Sequence, residues 1–345
     1  MPFLRNHWYC AALSQEIGRE PLGRIFLNEP VVMYRTADGT AVALEDRCCH
    51  RRAPLSKGKV EGDRLRCGYH GFLYDATGKV VWVPGQDKVP PNAGVRSYPL
   101  VEKHGWTWIW MGDANRADAR QVPAFYWFDD PRWACSGGYL PMKGNNMLLV
   151  DNLLDLSHLP FLHPSTVGSQ GDTNPELHWE RGPDFVRGTR LATNLPPSPR
   201  FAKEGIDFNT DRIQVMTYTP PANVTVEITL TEAGKKPGDP TSRANRHIVI
   251  LNSMTPETET TCHYIWGNGR DFQIGDKDLT VATHRMIEST FYEDIAIIEA
   301  EQLIIDLDPA APQIDVMGDA GGLQARRLLE RLIAEEQGVI EAAAE

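Results

Sequence analysis

Two stretches of this chain combine residue types that rarely stand together by chance. The first is Cys48-Cys49-His50 followed, after sixteen intervening residues, by Cys67-Gly68-Tyr69-His70. Reduced to donor atoms it reads C-x-H…C-x-x-H, two thiolates and two imidazoles, with one of each in each pair. Such a set suits a tetrahedral zinc ion or an iron–sulfur centre. Zinc modules more often open with paired cysteines and finish with paired histidines, whereas here each pair is mixed. A centre of two irons, with both cysteines on one metal and both histidines on the other, needs that mixing if each loop is to serve both metals. A structural zinc is the competing reading. Gly68 and Gly71 would let backbone N–H groups come close to the sulfurs. Cys49, next to Cys48 on a tight loop, is expected to point elsewhere.

The second stretch runs from Asp151-Asn152-Leu153-Leu154-Asp155 through Leu156-Ser157-His158 to His163. Asp155 and His158 lie three apart and share one helix face. His163 is five beyond His158, about 140° round an ideal wheel, too far for both imidazoles to reach one ion from a straight helix. Pro160 is expected to end or kink that helix and swing His163 back. Two histidines and one carboxylate would form the facial triad of mononuclear non-haem iron, with positions left open for oxygen. The carboxylate must come from elsewhere. In a long predicted helix over Leu279–Ile305, Ile287, Phe291, Ile295 and Ile298 form the apolar stripe. Asp294 falls at its margin, while Glu293 is expected on the opposite face. An aspartate beside apolar residues is costly unless paired or metal-bound, so Asp294 is the expected third donor. An ordinary salt-bridged aspartate is the alternative.

The elements around these groups fall into two halves. Before residue 115 the chain reads as short strands and turns. Val31–Arg35 and Thr40–Glu45 flank Ala37-Asp38-Gly39, and Phe72–Tyr74 and Val80–Val83 flank Ala76-Thr77-Gly78, both hairpin patterns. Trp106, Trp108 and Trp110 alternate on one strand and should place three indoles on one face of a core. The polar run Gly112–Asp118 suggests a connector, giving domains 1–115 and 116–345. Beyond it come mixed helical patterning over Asn145–Leu162, alternating strands near Val224–Leu230 and His247–Leu251, and a last amphipathic helix over Leu323–Glu336. Pro196–Pro199 and Lys235–Pro240 read as loops.

Composition narrows the classes further. With 345 residues, 41% hydrophobic and 23% charged, the chain can bury a core without a disulfide framework, and its six cysteines are too sparse to be one. A formal charge of −11 argues against nucleic acid and anionic membrane surfaces as partners. No apolar run reaches bilayer length, and the polar start suggests a cytoplasmic protein.

Arg47-Cys48-Cys49-His50-Arg51-Arg52-Ala53-Pro54-Leu55, Cys67-Gly68-Tyr69-His70-Gly71 and Asp151–His158 together resemble the oxygenase component of Rieske non-haem iron oxygenases. Asn6-His7-Trp8-Tyr9, Thr255–Glu259 and Asp319-Ala320-Gly321-Gly322 are similar to the branch that holds vanillate O-demethylase, dicamba O-demethylase and toluenesulfonate methyl-monooxygenase. The resemblance implies an α+β chain, with an all-β Rieske domain and then a helix-grip-type antiparallel sheet flanked by helices. It implies a [2Fe–2S] cluster on Cys48, Cys67, His50 and His70, and mononuclear Fe(II) on His158, His163 and Asp294. It also implies O2 as oxidant, and electrons from NAD(P)H through a separate reductase or ferredoxin. Asp155 resembles the family's aspartate that links a cluster histidine of one subunit to an iron-binding histidine of the next, in a homotrimer. The implied reaction is O-demethylation or methyl hydroxylation of a small aromatic acid. Asn252 sits near the position of the dicamba enzyme's substrate-binding histidine, and Phe161, Trp266 and Phe291 are further pocket candidates. Two other classes compete: an electron carrier with a non-catalytic ligand-binding domain, and a zinc-stabilised binding module.

Overall fold

The computed structural model describes residues 3–169 and 175–338. Backbone contacts divide the chain into two units, Met1–Ala124 with Thr255–Glu259, and Phe125–Met254 with Thr260–Glu345.

The first unit is built from eleven short strands among the described residues: β1 (Trp8–Leu13), β2 (Leu22–Phe26), β3 (Glu29–Arg35), β4 (Ala41–Glu45), β5 (Lys59–Glu61), β6 (Arg64–Arg66), β7 (Leu73–Tyr74), β8 (Val80–Trp82), β9 (Ser97–Tyr98), β10 (Leu100–Lys103) and β11 (Trp106–Trp110). They form three antiparallel sheets, in the orders β1-β11-β10, β2-β3-β4-β9 and β5-β6-β7-β8. Both expected hairpins are present. Arg35 pairs with Ala41 across a turn that places Gly39 at φ +89°. Gly78 closes the β7–β8 turn at φ +82°, with the Val95 carbonyl where a Cβ would lie, so only glycine fits there. The three tryptophans of β11 are buried as expected, and so are Thr107 and Ile109 between them, which makes β11 a strand covered on both faces.

The first unit extends beyond Asn115 because its last turns are tied to that strand layer. Trp8 Nε1 donates to the Asp118 carbonyl at 2.8 Å, Lys103 Nζ to the Val122 carbonyl at 3.0 Å, and Val122 is buried. The division therefore falls after Ala124, nine residues past the boundary expected at residue 115. Thr255–Glu259 joins this unit through backbone donors: Leu27 N–H reaches the Pro256 carbonyl at 3.0 Å and Asn28 N–H the Glu257 carbonyl at 2.9 Å.

The second unit contains β12 (Ala134–Met142), β13 (Glu176–Arg181), β14 (Val186–Leu195), β15 (Thr210–Thr219), β16 (Asn223–Glu232), β17 (Asn245–Pro256) and β18 (Cys262–Arg270). They make one sheet in the order β12-β18-β17-β16-β15-β14-β13. β13 to β17 pair antiparallel in succession, as do β12 and β18. The accompanying helices are α1 (Asn146–Leu154), α2 (Leu159–Leu162), α3 (Pro199–Lys203), α4 (Lys277–Leu307) and α5 (Ala320–Glu336). This is the expected helix-flanked sheet. α4 starts where Asp276 accepts from the Leu279 N–H at 2.9 Å and stops at Asp308, just before Pro309. α5 packs on α1 through Gly322, whose missing side chain leaves room for the Asp151 carboxylate.

Two local expectations change. Pro199, read as loop, opens α3: it occupies the first helical turn, where no N–H is needed, behind Ser198 as cap. Pro160 does not break a helix. The break comes five residues earlier, at Asp155, whose extended backbone ends α1. Pro160 then sits in the first turn of α2. No helix among the described residues is long and apolar enough to cross a membrane.

Candidate metal centres and cavity

The loops carrying the Cys–His pairs share one hydrogen-bond pattern. Cys48 N–H donates to the Ala53 carbonyl and Cys67 N–H to the Phe72 carbonyl, both at 2.8 Å and both five residues on. Each cysteine carbonyl in turn accepts from the residue four ahead, Arg52 at 2.8 Å and Gly71 at 3.1 Å. That fourth residue has positive φ in both loops, +60° at Arg52 and +75° at Gly71. A non-glycine residue held there carries backbone strain of about 1 kcal/mol or more. The matched turns aim each cysteine inward and each histidine outward. Cys48 and Cys67 belong to the apolar core beside Tyr34, Leu65 and Tyr74. His50 and His70 are exposed, with ring centroids 4.6 Å apart, and His50 stacks on Phe72 at 4.9 Å.

The donor chemistry fits a two-iron cluster. Burial pushes the Cys67 thiol up, so a thiolate there calls for nearby positive charge such as a metal supplies. The Tyr74 hydroxyl donates to Cys48 Sγ at 3.1 Å, as a tuning hydrogen bond to a cluster ligand would. Cys49 is exposed; its N–H donates to the Tyr74 oxygen at 3.1 Å, and its Sγ lies 3.2 Å from that same oxygen.

His158, His163 and Asp294 converge, each offering one donor atom, with all three atoms within 4.8 Å of one another. His163 Nε2 lies 2.9 Å and His158 Nε2 3.6 Å from Asp294 Oδ1. The chain bends to allow this. The Asp155 side chain accepts from Ser157 N–H at 2.9 Å and starts a single turn that carries His158. α2 follows, and His163 caps its end. Gly168 lies so close under that turn that a Cβ would meet the Leu159 and His163 carbonyls.

The outer nitrogens of both imidazoles are engaged. His158 Nδ1 donates to the Asp155 carbonyl at 2.7 Å, and His163 Nδ1 faces Glu293 Oε2 at 2.5 Å. Occupied Nδ1 positions leave the two Nε2 atoms as the metal-facing ones, the arrangement that orients metal-binding histidines. Burial holds the His158 pKa below its ordinary value, which favours the neutral form a ligand needs. Burial also acts to lower His163, but Asp294 and Glu293 outweigh it and the net shift is upward. Asn152 Nδ2 donates to Asp294 Oδ1 at 3.1 Å and fixes the carboxylate. Two histidines and one carboxylate, with His163 and Asp294 buried, His158 half-buried and all three oriented from behind, form a mononuclear iron-binding triad. Glu293 corrects the sequence reading. It does not point away from the site, because His163 meets α4 from the side and reaches consecutive residues with its two nitrogens.

A cavity of about 110 Å³ opens against the triad. Its walls are mainly apolar, including Leu153, Val226, Ile250, Ile287 and Phe291. That size is of the order of the ~150 Å³ cavity that takes up one benzene. Of the pocket candidates from the sequence, Phe291 alone lines it. Asn252 is wholly buried within the sheet, donating to the Val224 carbonyl at 3.0 Å and accepting from the Tyr264 hydroxyl at 2.7 Å. Trp266 is fully buried against Phe291 and His284. Phe161 is 77% exposed. Sequence reasoning missed Arg200, Arg212 and Gln214, all of which line the cavity. Along β15 the apolar Ile213 and Val215 alternate with Arg212 and Gln214, and it is the polar pair that is buried.

Comparison with known proteins follows the same two-part division. Residues 7–99 match the Rieske [2Fe-2S] domain, and residues 142–335 match the vanillate O-demethylase oxygenase C-terminal domain. A putative toluene-4-sulfonate monooxygenase system iron-sulfur subunit of Comamonas testosteroni is 41% identical over 345 residues, covering 97% of this chain and 98% of that protein. A vanillate O-demethylase oxygenase subunit of a Pseudomonas species is 34% identical, covering 99% of this chain and 98% of its own. The crystal structure of dicamba monooxygenase bound to 3,6-dichlorosalicylic acid superposes with a TM-score of 0.90 at 31% identity, over 98% of this chain and 99% of that one.

Proposed function

The chain belongs to the Rieske non-haem iron oxygenases, in the branch of the vanillate, dicamba and toluenesulfonate enzymes, and from that premise we propose that it removes or hydroxylates a methyl group on a small aromatic acid. The observation that carries this reading is the oriented two-histidine, one-carboxylate triad opening onto a mainly apolar cavity of about one ring's volume. An electron carrier has no need of such a triad. A zinc module is equally out of place beside a Rieske [2Fe-2S] match over residues 7–99.

Iron bound by His158, His163 and Asp294 would supply the oxidising chemistry, with O2 as oxidant and electrons arriving through a cluster on Cys48, Cys67, His50 and His70. The protein's own part is positional. Glu293 and the Asp155 carbonyl fix the imidazole planes, and Asn152 fixes the carboxylate. Leu153, Ile287 and Phe291 exclude water and press on an aromatic ring. For an aryl methyl ether, O2, two electrons and two protons give phenol, formaldehyde and water. For an aryl methyl group the same inputs give a benzylic alcohol and water.

In this reading the electrons come from NAD(P)H through a separate reductase. Asp155 would link a cluster histidine of a neighbouring subunit in a trimer to an iron-binding histidine of its own chain, and the protein works in the cytoplasm. Oxygen consumption with formaldehyde detection, run against a panel of methoxy- and methyl-substituted aromatic acids, tests the function. Uptake coupled to formaldehyde identifies a demethylase, and uptake with a benzylic alcohol a hydroxylase. No substrate-dependent uptake across the panel overturns the proposal.

A further inference from the structure

The cavity has a second polar wall besides the triad. α3 and β15 supply it through Ser198, Arg200, Arg212 and Gln214, with Phe201 among them. Arg200 is 5% exposed and Arg212 4%. A buried guanidinium is costly unless its donors are met and its charge is answered. Arg200 Nε donates to Glu204 Oε1 at 3.1 Å, but its buried Nη2 has no hydrogen-bond partner among the described residues. Glu204 does not answer Arg200 alone. Its other carboxylate oxygen accepts from Arg246 Nη1 at 2.6 Å, and its carbonyl from Arg246 Nη2 at 3.2 Å. Two guanidiniums thus share one carboxylate, which leaves positive charge and an unused donor at the cavity wall. Arg212 is anchored nearby, donating to Ser169 Oγ at 2.6 Å and to the Pro196 carbonyl at 3.0 Å. Both guanidiniums lie by the Phe201 ring, their Cζ atoms 5.7 and 5.0 Å from its centroid.

We propose that Arg200, assisted by Arg212, is the specificity-determining residue that holds the oxyanion of the substrate, an aryl carboxylate or aryl sulfonate, leaving the ring to the apolar walls and the triad. The inference rests on the oxygenase reading for the identity of its ligand and adds the group that selects it. It explains why an acidic chain buries arginines at this cavity, and why the polar side of β15 faces inward. Charge-assisted hydrogen bonds to a guanidinium fork are strong and geometrically selective, so an anionic substrate would be fixed in orientation as well as in affinity.

The test is equilibrium binding to the metal-loaded full chain without oxygen, read by calorimetry, so that turnover plays no part. The probes are 4-toluenesulfonate, 4-methoxybenzoate and the neutral 4-methoxybenzamide. Wild type should bind at least one of the anions about tenfold or more tightly than the amide. The tighter of the two anions then tells whether the site prefers a tetrahedral or a planar oxyanion. Arg200→Gln should weaken the anions about 10–100-fold and the amide by no more than about twofold, with Arg200→Lys in between. A wild type that binds the amide as tightly as the acids overturns the proposal without any variant having to fold. Equal weakening of acid and amide by Arg200→Gln also overturns it, since that is what a purely structural partner of Glu204 would give. Should the anions bind as expected while no aromatic acid supports oxygen uptake, the oxygenase reading fails and the anion site stands.

Discussion

The two proposed metal regions collect their donors in opposite ways. The Cys–His quartet lies between residues 48 and 70, on two loops that share a hydrogen-bond pattern and a positive-φ turn. The triad instead joins His163 to a carboxylate 131 positions away, so it exists only when α4 is packed against the α1–α2 segment. A loop set is shaped by local backbone geometry and stays poised within a small all-β unit. A helix-borne set depends on the tertiary fold, and in return it can face a cavity. The contrast separates electron storage from substrate chemistry, and each part should be removable without the other.

The sharpest way to break the comparison is to delete one donor of the triad. His163→Ala should abolish substrate-dependent oxygen uptake while leaving the visible spectrum of the cluster intact. Turnover surviving in that variant would mean that the chemistry lies elsewhere. A smaller loss is expected behind the triad. Glu293→Gln keeps the shape but loses the charge that holds His163 Nδ1, and iron affinity should fall about 10–100-fold, measured by chelator competition. An unchanged affinity would reduce Glu293 to an ordinary surface carboxylate.

The same contrast explains what could be read from the chain before its structure. Interleaved Cys and His within one short span announce themselves, because the loops that present them are local. Asp294 was readable as a carboxylate at the margin of an apolar helical stripe. Its neighbour Glu293 was misplaced, because a wheel drawn for one helix has no knowledge of a histidine arriving from another. The Asp155 break was hidden too: the residue looks like one more member of a helical run until its side chain is seen capping the turn that follows. Arg212 and Gln214 were concealed by β15 itself, where alternation normally sends the apolar residues inward. Where the strand lines the cavity's polar wall, at Arg212 and Gln214, that rule gives way, while Met216 and Tyr218 on the same face keep it, and nothing in a single sequence signals the change.

Asp155 can sharpen the comparison where the two regions are proposed to communicate. Its side chain already has a structural task, accepting from Ser157 N–H and from Ser157 Oγ at 3.0 Å. Asparagine caps helices as well as aspartate does, so Asp155→Asn should keep the turn, the position of His158 and both metals. What it removes is the negative charge. If that charge stabilises electron passage, the single-turnover rate should fall about 10–100-fold, the worth of one charge-assisted hydrogen bond. A rate equal to wild type would leave the residue with its capping role alone.

The smallest expected effect lies wholly inside the loop region. Tyr74 donates to Cys48 Sγ at 3.1 Å and accepts from the Cys49 N–H, while its ring is buried in the core. Tyr74→Phe would retain the packing and remove the donor to sulfur. Reduction adds electron density to the cluster, so a hydrogen bond to a ligand sulfur favours the reduced form, and its loss should lower the potential. One neutral hydrogen bond is worth about 0.5–1.5 kcal/mol, which for a one-electron couple is a fall of about 20–60 mV in a redox titration. Because the triad lies in the other unit, its iron content should not change. A potential that stays constant would show that the loop backbone, with its paired turns, sets the cluster's properties without help from this side chain.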